Sequence, residues 1–92
     1  MDAEAAPTRA EVIGIYGWIL LRKGDREQAF GLLSGAVEAA PEGRDIRFHY
    51  ASTMAAASDD QGAIKELEVI LGTDAVFSSR DQAQVLLQQL QE

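Results

Sequence analysis

His49 is the single histidine of the 92-residue chain, and there is no cysteine. A histidine acting as general base needs a nucleophile and an orienting group beside it, and a zinc site of the usual kind needs further nitrogen or sulfur ligands. The five serines, Ser34, Ser52, Ser58, Ser78 and Ser79, stand in no nucleophile-elbow context. Gly31-Leu32-Leu33-Ser34-Gly35 falls inside a helical stripe rather than between a strand and a helix, where a phosphate loop belongs. Asp59-Asp60-Gln61-Gly62 lacks the alternating ligands and closing glutamate of a calcium loop. These patterns supply no catalytic residue, no metal site and no cofactor. The chain is expected not to be an enzyme, and His49 is expected to be structural or a surface residue.

What remains is the chemistry of contact. Trp18 and Phe48 are the residue types that anchor protein interfaces. Arg22, Lys23 and Arg26 cluster near a turn, where cations favour a helix C-terminus. Arg44 and Arg47 open a helix, where the dipole disfavours them, a placement that would suit a contact with an acidic group. Fifteen acidic side chains against eight basic ones give a formal charge of -7. A nucleic-acid binder must neutralise phosphates, so this balance speaks against one. The longest apolar run, Val12 to Leu21, is about half the length needed to cross a bilayer, so no direct membrane insertion is expected.

The elements that would position these residues are helices. Fifteen alanines and few β-branched or aromatic residues favour an all-α chain. Ile13, Tyr16, Gly17 and Leu20 recur on one helix face. Gly24 breaks that pattern, and Asp25 can cap a second helix with stripe Ala29, Leu33, Ala36, Val37 and Ala40, ended by Pro41 and Gly43. A third helix over residues 44–57 presents Tyr50, Ala51 and Met54. Asp59 and Asp60 start a fourth, with stripe Ala63, Leu67, Ile70 and Leu71, closed by Gly72. Ser79 and Gln82 form a capping-box pair for a fifth, with stripe Ala83, Leu86, Leu87 and Leu90.

One fixed shift lays the chain on itself. Glu4-Ala5-Ala6-Pro7 falls on Glu38-Ala39-Ala40-Pro41, Tyr16 on Tyr50, Asp25 on Asp59, Ala29 on Ala63 and Leu33 on Leu67. Similar pairs fill in: Val12 with Ile46, Leu20 with Met54, Phe30 with Ile64 and Val37 with Leu71. The matches sit where helices pack or end, as an internal repeat requires.

With Tyr16-Gly17, Leu20, Gly24-Asp25, Ala29, Ala36 and Pro41, the segment resembles a tetratricopeptide repeat, a family of helix pairs whose period equals this shift. A second unit is similar through Tyr50-Ala51, Met54, Asp59, Ala63 and Leu67, and departs from the pattern at Arg47, Ile70 and Ala75. The resemblance implies a right-handed α-solenoid of antiparallel hairpins with five helices. Residues 1–9 would be the end of a preceding repeat or a linker, 10–43 the first repeat, 44–77 a degenerate second, and 78–92 a capping helix. The chain would then be the C-terminal piece of a longer array. Packing between helices would fall to Tyr16, Gly17, Leu20, Ala29, Leu33, Ala36, Pro41, Tyr50, Ala51, Met54, Ala63 and Leu67.

In that family ligands lie on the concave face lined by each first helix. The resemblance places Glu11, Ile15, Trp18, Leu21 and Arg22 there from the first repeat, Asp45, Phe48, His49 and Ser52 from the second, and Gln84 and Gln88 from the last helix. The lysine-asparagine pattern that clamps a carboxylate in some members is replaced by Gly14 and Trp18. The implied function is a non-enzymatic interaction module that binds a protein or peptide partner. Gly17-Trp18-Ile19-Leu20-Leu21 and Arg47-Phe48-His49-Tyr50-Ala51 are also similar to C-terminal repeats of bacterial scaffolds of exopolysaccharide export and envelope systems. That resemblance implies a larger parent protein in a bacterial cytoplasm or periplasm. The first helix is apolar nearly all round, and such a helix is buried on every side or meets a partner. The alternative reading is therefore a self-association element, with a homodimer formed through that helix.

Overall fold

The computed structural model describes residues 9–92, so the tail expected to end a preceding repeat lies outside the described residues except for Arg9. Five helices and no strand occur among the described residues: α1 (Arg9–Arg22), α2 (Arg26–Ala39), α3 (Arg44–Ala56), α4 (Asp60–Leu71) and α5 (Arg80–Gln91). The first three connections are too short for neighbours to run parallel, so α1 to α4 alternate in direction. Each helix packs on the next, α1 also touches α3, and α3 also touches α5. The odd-numbered helices therefore form one layer and the even-numbered ones a second. The thinnest dimension, 19 Å, is about two helix diameters.

Local chemistry sets the helix ends. The Asp25 carboxylate accepts a hydrogen bond from the backbone N–H of Gln28, and Asp59 accepts one from Gly62. Each satisfies an amide that the helix cannot, and a cap of this kind is worth about 1 kcal/mol. The turn before each cap is repeated in detail. The N–H of Asp25 donates to the Leu20 carbonyl at 2.9 Å, and that of Asp59 to Met54 at 2.8 Å. Gly24 and Ser58, which the repeat shift also superposes, both take left-handed backbone, with φ of 93° and 67°. Only the first of these positions carries the residue that does so without steric cost.

Packing divides into two clusters. The larger unites Phe48, Ala51, Ala63, Leu67, Ile70 and Ala83, with Trp18, Met54, Leu86 and Leu90 half-buried against it. The smaller holds Ala10, Ala36 and Ile46, with Ile13, Val37 and Ala40 around them. Ala29 and Leu33 are fully buried. Small residues decide how closely the helices approach. A Cβ on Gly17 would lie 2.7 Å from Cγ of Leu33, and one on Gly14 would lie 3.2 Å from Cγ1 of Ile46. The missing side chains let α2 and α3 each press a branched side chain against the backbone of α1.

The entry to α5 differs from the capping box expected of Ser79 and Gln82. Ser79 makes no side-chain cap bond within its own helix. Its hydroxyl and its backbone N–H both donate to Oδ1 of Asp45 on α3. A half-buried carboxylate with two donors outcompetes a local amide contact, and it ties α5 to α3.

Candidate protein-binding groove

The N-terminal halves of α1 and α3 flank a groove of about 500 Å³. The buried Gly14 and Ile46 form its floor, and Glu11, Arg44, Asp45 and His49 its polar rim. Glycine at position 14 lets Ile46 close the floor directly against the α1 backbone, because Ile46 fills the space a side chain would take. Ile15 remains more than half exposed at the mouth. The result is an apolar strip edged by charges of both signs, which is the arrangement that orients a peptide: the apolar part supplies affinity and the charges set direction.

His49 closes the groove toward the C-terminal end of α1. Its ring stacks on Trp18, with centroids 4.3 Å apart and planes 15° from parallel. Phe48 completes a three-ring cluster, 6.1 Å from Trp18 and 5.6 Å from His49. Burial against these rings pushes the His49 pKa below its ordinary value, and the nearby Asp45 carboxylate opposes the shift without reversing it. The imidazole is thus neutral near pH 7. It can present one ring nitrogen as donor and the other as acceptor.

The residues expected to line the concave face do not all meet here. Glu11, Ile15, Asp45 and His49 share the groove. Trp18 is half-buried beside it and contributes a ring wall. Phe48 points into the larger core, where it is almost fully buried. Leu21 is half-buried and Arg22 exposed at the far end of α1. The Ser52 hydroxyl donates to the backbone carbonyl of Phe48, one turn earlier in α3. Gln84 and Gln88 are exposed on α5 and do not line the groove. Of the residues expected to pack between helices, Gly17, Ala29, Leu33, Ala36, Ala51, Ala63 and Leu67 are buried, Leu20, Tyr50 and Met54 half-buried, and Tyr16 and Pro41 exposed.

Three groove residues, Gly43, Arg44 and Ile46, lie outside the expected lining: the first two stand at the helix boundary, and Ile46 belongs to the buried packing face of α3. The signal for Arg44 is the cation placed against the helix dipole. Arg47, placed in the same way, has a different use: Nη1 bonds Glu66 of α4 at 2.9 Å and Nε donates to the Pro41 carbonyl at 2.7 Å. Arg26 donates to the carbonyl of Ala56 at the end of α3, so one member of the basic cluster near the first turn braces two hairpins.

A second basin of about 490 Å³ lies at the other end, beside Phe30 and Thr53. Of its polar lining, Asp25 is engaged in the helix cap, Arg26 on Ala56 and Thr53 on the His49 carbonyl. Among the described residues no three histidine, aspartate or glutamate side chains gather in a way that could hold a metal ion, and no helix is long and apolar enough to cross a membrane. Set against protein families, curated proteins and solved structures, the chain matches none.

Proposed function

We propose that this protein is a non-enzymatic interaction module of the tetratricopeptide kind, a right-handed α-solenoid segment that holds a peptide or helix of a partner protein in the groove between α1 and α3. The observation that carries the reading is the groove itself: an exposed apolar side chain at Ile15, a floor of Gly14 and Ile46, and a rim of Glu11, Arg44, Asp45 and His49. The turn and cap that recur at the repeat shift support the repeat assignment. The partner segment places an apolar side chain over Ile15, and its charged or polar groups pair with the rim. Trp18 and His49 act as a rigid ring wall, which costs little conformational entropy on binding. A role inside a larger bacterial envelope scaffold follows from resemblance alone and belongs to the same proposal.

Peptide display against the full chain tests this reading. Selected peptides are expected to share an apolar anchor with charged neighbours. Their affinity is expected to drop at least about tenfold on Ile15→Glu while the thermal midpoint stays unchanged, as for an exposed central contact. Failure to converge on a motif, or binding that ignores Ile15→Glu, would overturn it. Trp18→Ala is the less clean variant, because Trp18 also packs against the larger core.

A further inference from the structure

Asp45 belongs to two places at once. It stands on the groove rim, and its Oδ1 takes both bonds from Ser79 at the entry to α5, the backbone N–H at 2.9 Å and the hydroxyl. Ser79 is 6% exposed, so the tie is shielded from water. Among the described residues these are the only hydrogen bonds that join the α5 segment to another helix. Arg80, next in the chain, turns back instead, and its Nη1 donates to the carbonyls of Thr73 and Ala75 in the loop before α5. A carboxylate has about four acceptor sites on its two oxygens. Oδ2 of Asp45 accepts nothing from the described residues, so α5 holds one oxygen and the other remains open.

α5 is the element whose seating can vary. It has 12 residues, and Ala83 alone is buried among them. A helix that short is marginal in water without its docking surface, so its opening is a local event and not global unfolding. From Asp45 the path to the groove wall is short. His49 follows one turn later in α3, feels the Asp45 charge, and stacks on Trp18 of α1. The other charged groups on the rim are Glu11 of α1 and Arg44 of α3. With both Ser79 donors on Oδ1, the carboxylate is fixed in one orientation, and it loses no rotamer freedom when it meets a cation. Without Ser79 the same side chain is a mobile, solvated charge, and such a charge holds a cation weakly.

We propose, on the footing that the groove is the binding site, that Ser79 is a positioning residue for it. By fixing Asp45, the seated α5 readies the rim for a cationic group of the partner, a lysine or arginine side chain beside the apolar anchor. Seating of α5 and occupation of the groove then favour each other. The coupling is reciprocal, as linkage demands: a seated α5 holds Asp45 for the cation, and a bound cation holds Asp45 for Ser79. Loosening α5 therefore loosens the partner, although α5 does not line the groove.

The single histidine gives a readout that needs no ligand. The imidazole resonances of His49 are followed against pH in the isotope-labelled full chain. Ser79→Ala leaves the carboxylate with one donor fewer, so its charge acts more strongly on the ring and the midpoint is expected to move to higher pH. Asp45→Asn removes the charge and moves the midpoint to lower pH. Ser79→Ala added to Asp45→Asn is expected to move it no further, because Ser79 acts through Asp45. A Ser79→Ala effect that persists beside Asp45→Asn, or no effect in either background, would overturn the coupling. The second readout uses the tightest peptide of the display selection. It is expected to carry a lysine or arginine beside its apolar anchor and to slow amide hydrogen exchange in α5. It should bind Ser79→Ala about three- to tenfold more weakly than the parent chain, and show no such difference in the Asp45→Asn background. A peptide that depends on Ile15 but carries no cation, or that ignores Ser79→Ala, would overturn this proposal and leave the groove reading standing. Failure of the selection to converge would overturn the groove reading and the cation with it, and the His49 titration would decide by itself whether α5 acts on the rim.

Discussion

The repeat shift turns Val12 into Ile46, Tyr16 into Tyr50, Gly17 into Ala51 and Gly24 into Ser58. The turns that end α1 and α3 share their hydrogen bonds and their left-handed residue. The faces of the two helices do not share their surroundings. α3 is enclosed by α1, α2, α4 and α5, whereas α1 is flanked by α2 and α3 only. One sequence pattern therefore yields a core element in one place and an exposed apolar element in the other. Tertiary neighbours, and not the pattern, decide which side chains stabilise the fold and which are left for contacts.

The comparison can be broken by paired substitutions. The largest difference is expected between Ile46→Ala and Val12→Ala. The first opens a cavity in the smaller core and should cost about 3 kcal/mol in urea denaturation, the second less than about 0.5 kcal/mol. Comparable losses would mean that α1 has the cover that α3 has. Next comes Gly17→Ala. The added Cβ would meet Leu33 at 2.7 Å, so α1 and α2 must separate or Leu33 must leave its rotamer, at about 2 kcal/mol. The counterpart Ala51 already carries a Cβ, so a neutral Gly17→Ala would show that the two hairpins have the same spacing.

A smaller effect separates the two turns. A Cβ on Gly24 meets nothing within 4 Å, so Gly24→Ala tests the left-handed backbone alone and should cost about 1 kcal/mol. Ser58→Gly should gain no more than about 0.5 kcal/mol, since relief of the backbone is offset by the wider freedom of unfolded glycine. The smallest effect is a pH dependence confined to α3, because the residue matching His49 on α1 is Ile15. The folded pKa of His49 lies below the ordinary 6.5. The unfolded chain therefore takes up the proton first as pH falls. Stability should be unaffected well above 6.5, decline as pH drops through that value, and level off once the folded histidine is also protonated. Subtracting the profile of His49→Gln isolates this contribution, and a flat difference would contradict the burial of the ring.

Much of the fold was legible in the sequence because the helices are punctuated. Gly24, Pro41, Gly43 and Gly72 stop them, and Asp25 and Asp59 start them through short-range bonds that need no tertiary partner. Long-range choices were not legible. Asp45 is expected to line the concave face, yet its carboxylate also binds Ser79 across to α5. Phe48 and Trp18 read alike as contact residues, but α3 turns Phe48 into the core while α1 leaves Trp18 at the edge of the groove. α1 has no polar side to mark which face is covered, so its periodicity could not tell Leu20, which is half-buried, from Tyr16, which is exposed.

The most direct measurement uses the one aromatic residue that the two helices share. Tyr16→Ala and Tyr50→Ala remove the same atoms from the same register, and urea denaturation of both in the full chain compares their surroundings. Tyr50→Ala is expected to lose about 1–2 kcal/mol through the lost packing on Phe30, and Tyr16→Ala less than about 0.5 kcal/mol. Equal losses at the two positions would contradict the account, because α1 would then be as enclosed as α3 and would have no apolar face to offer a partner.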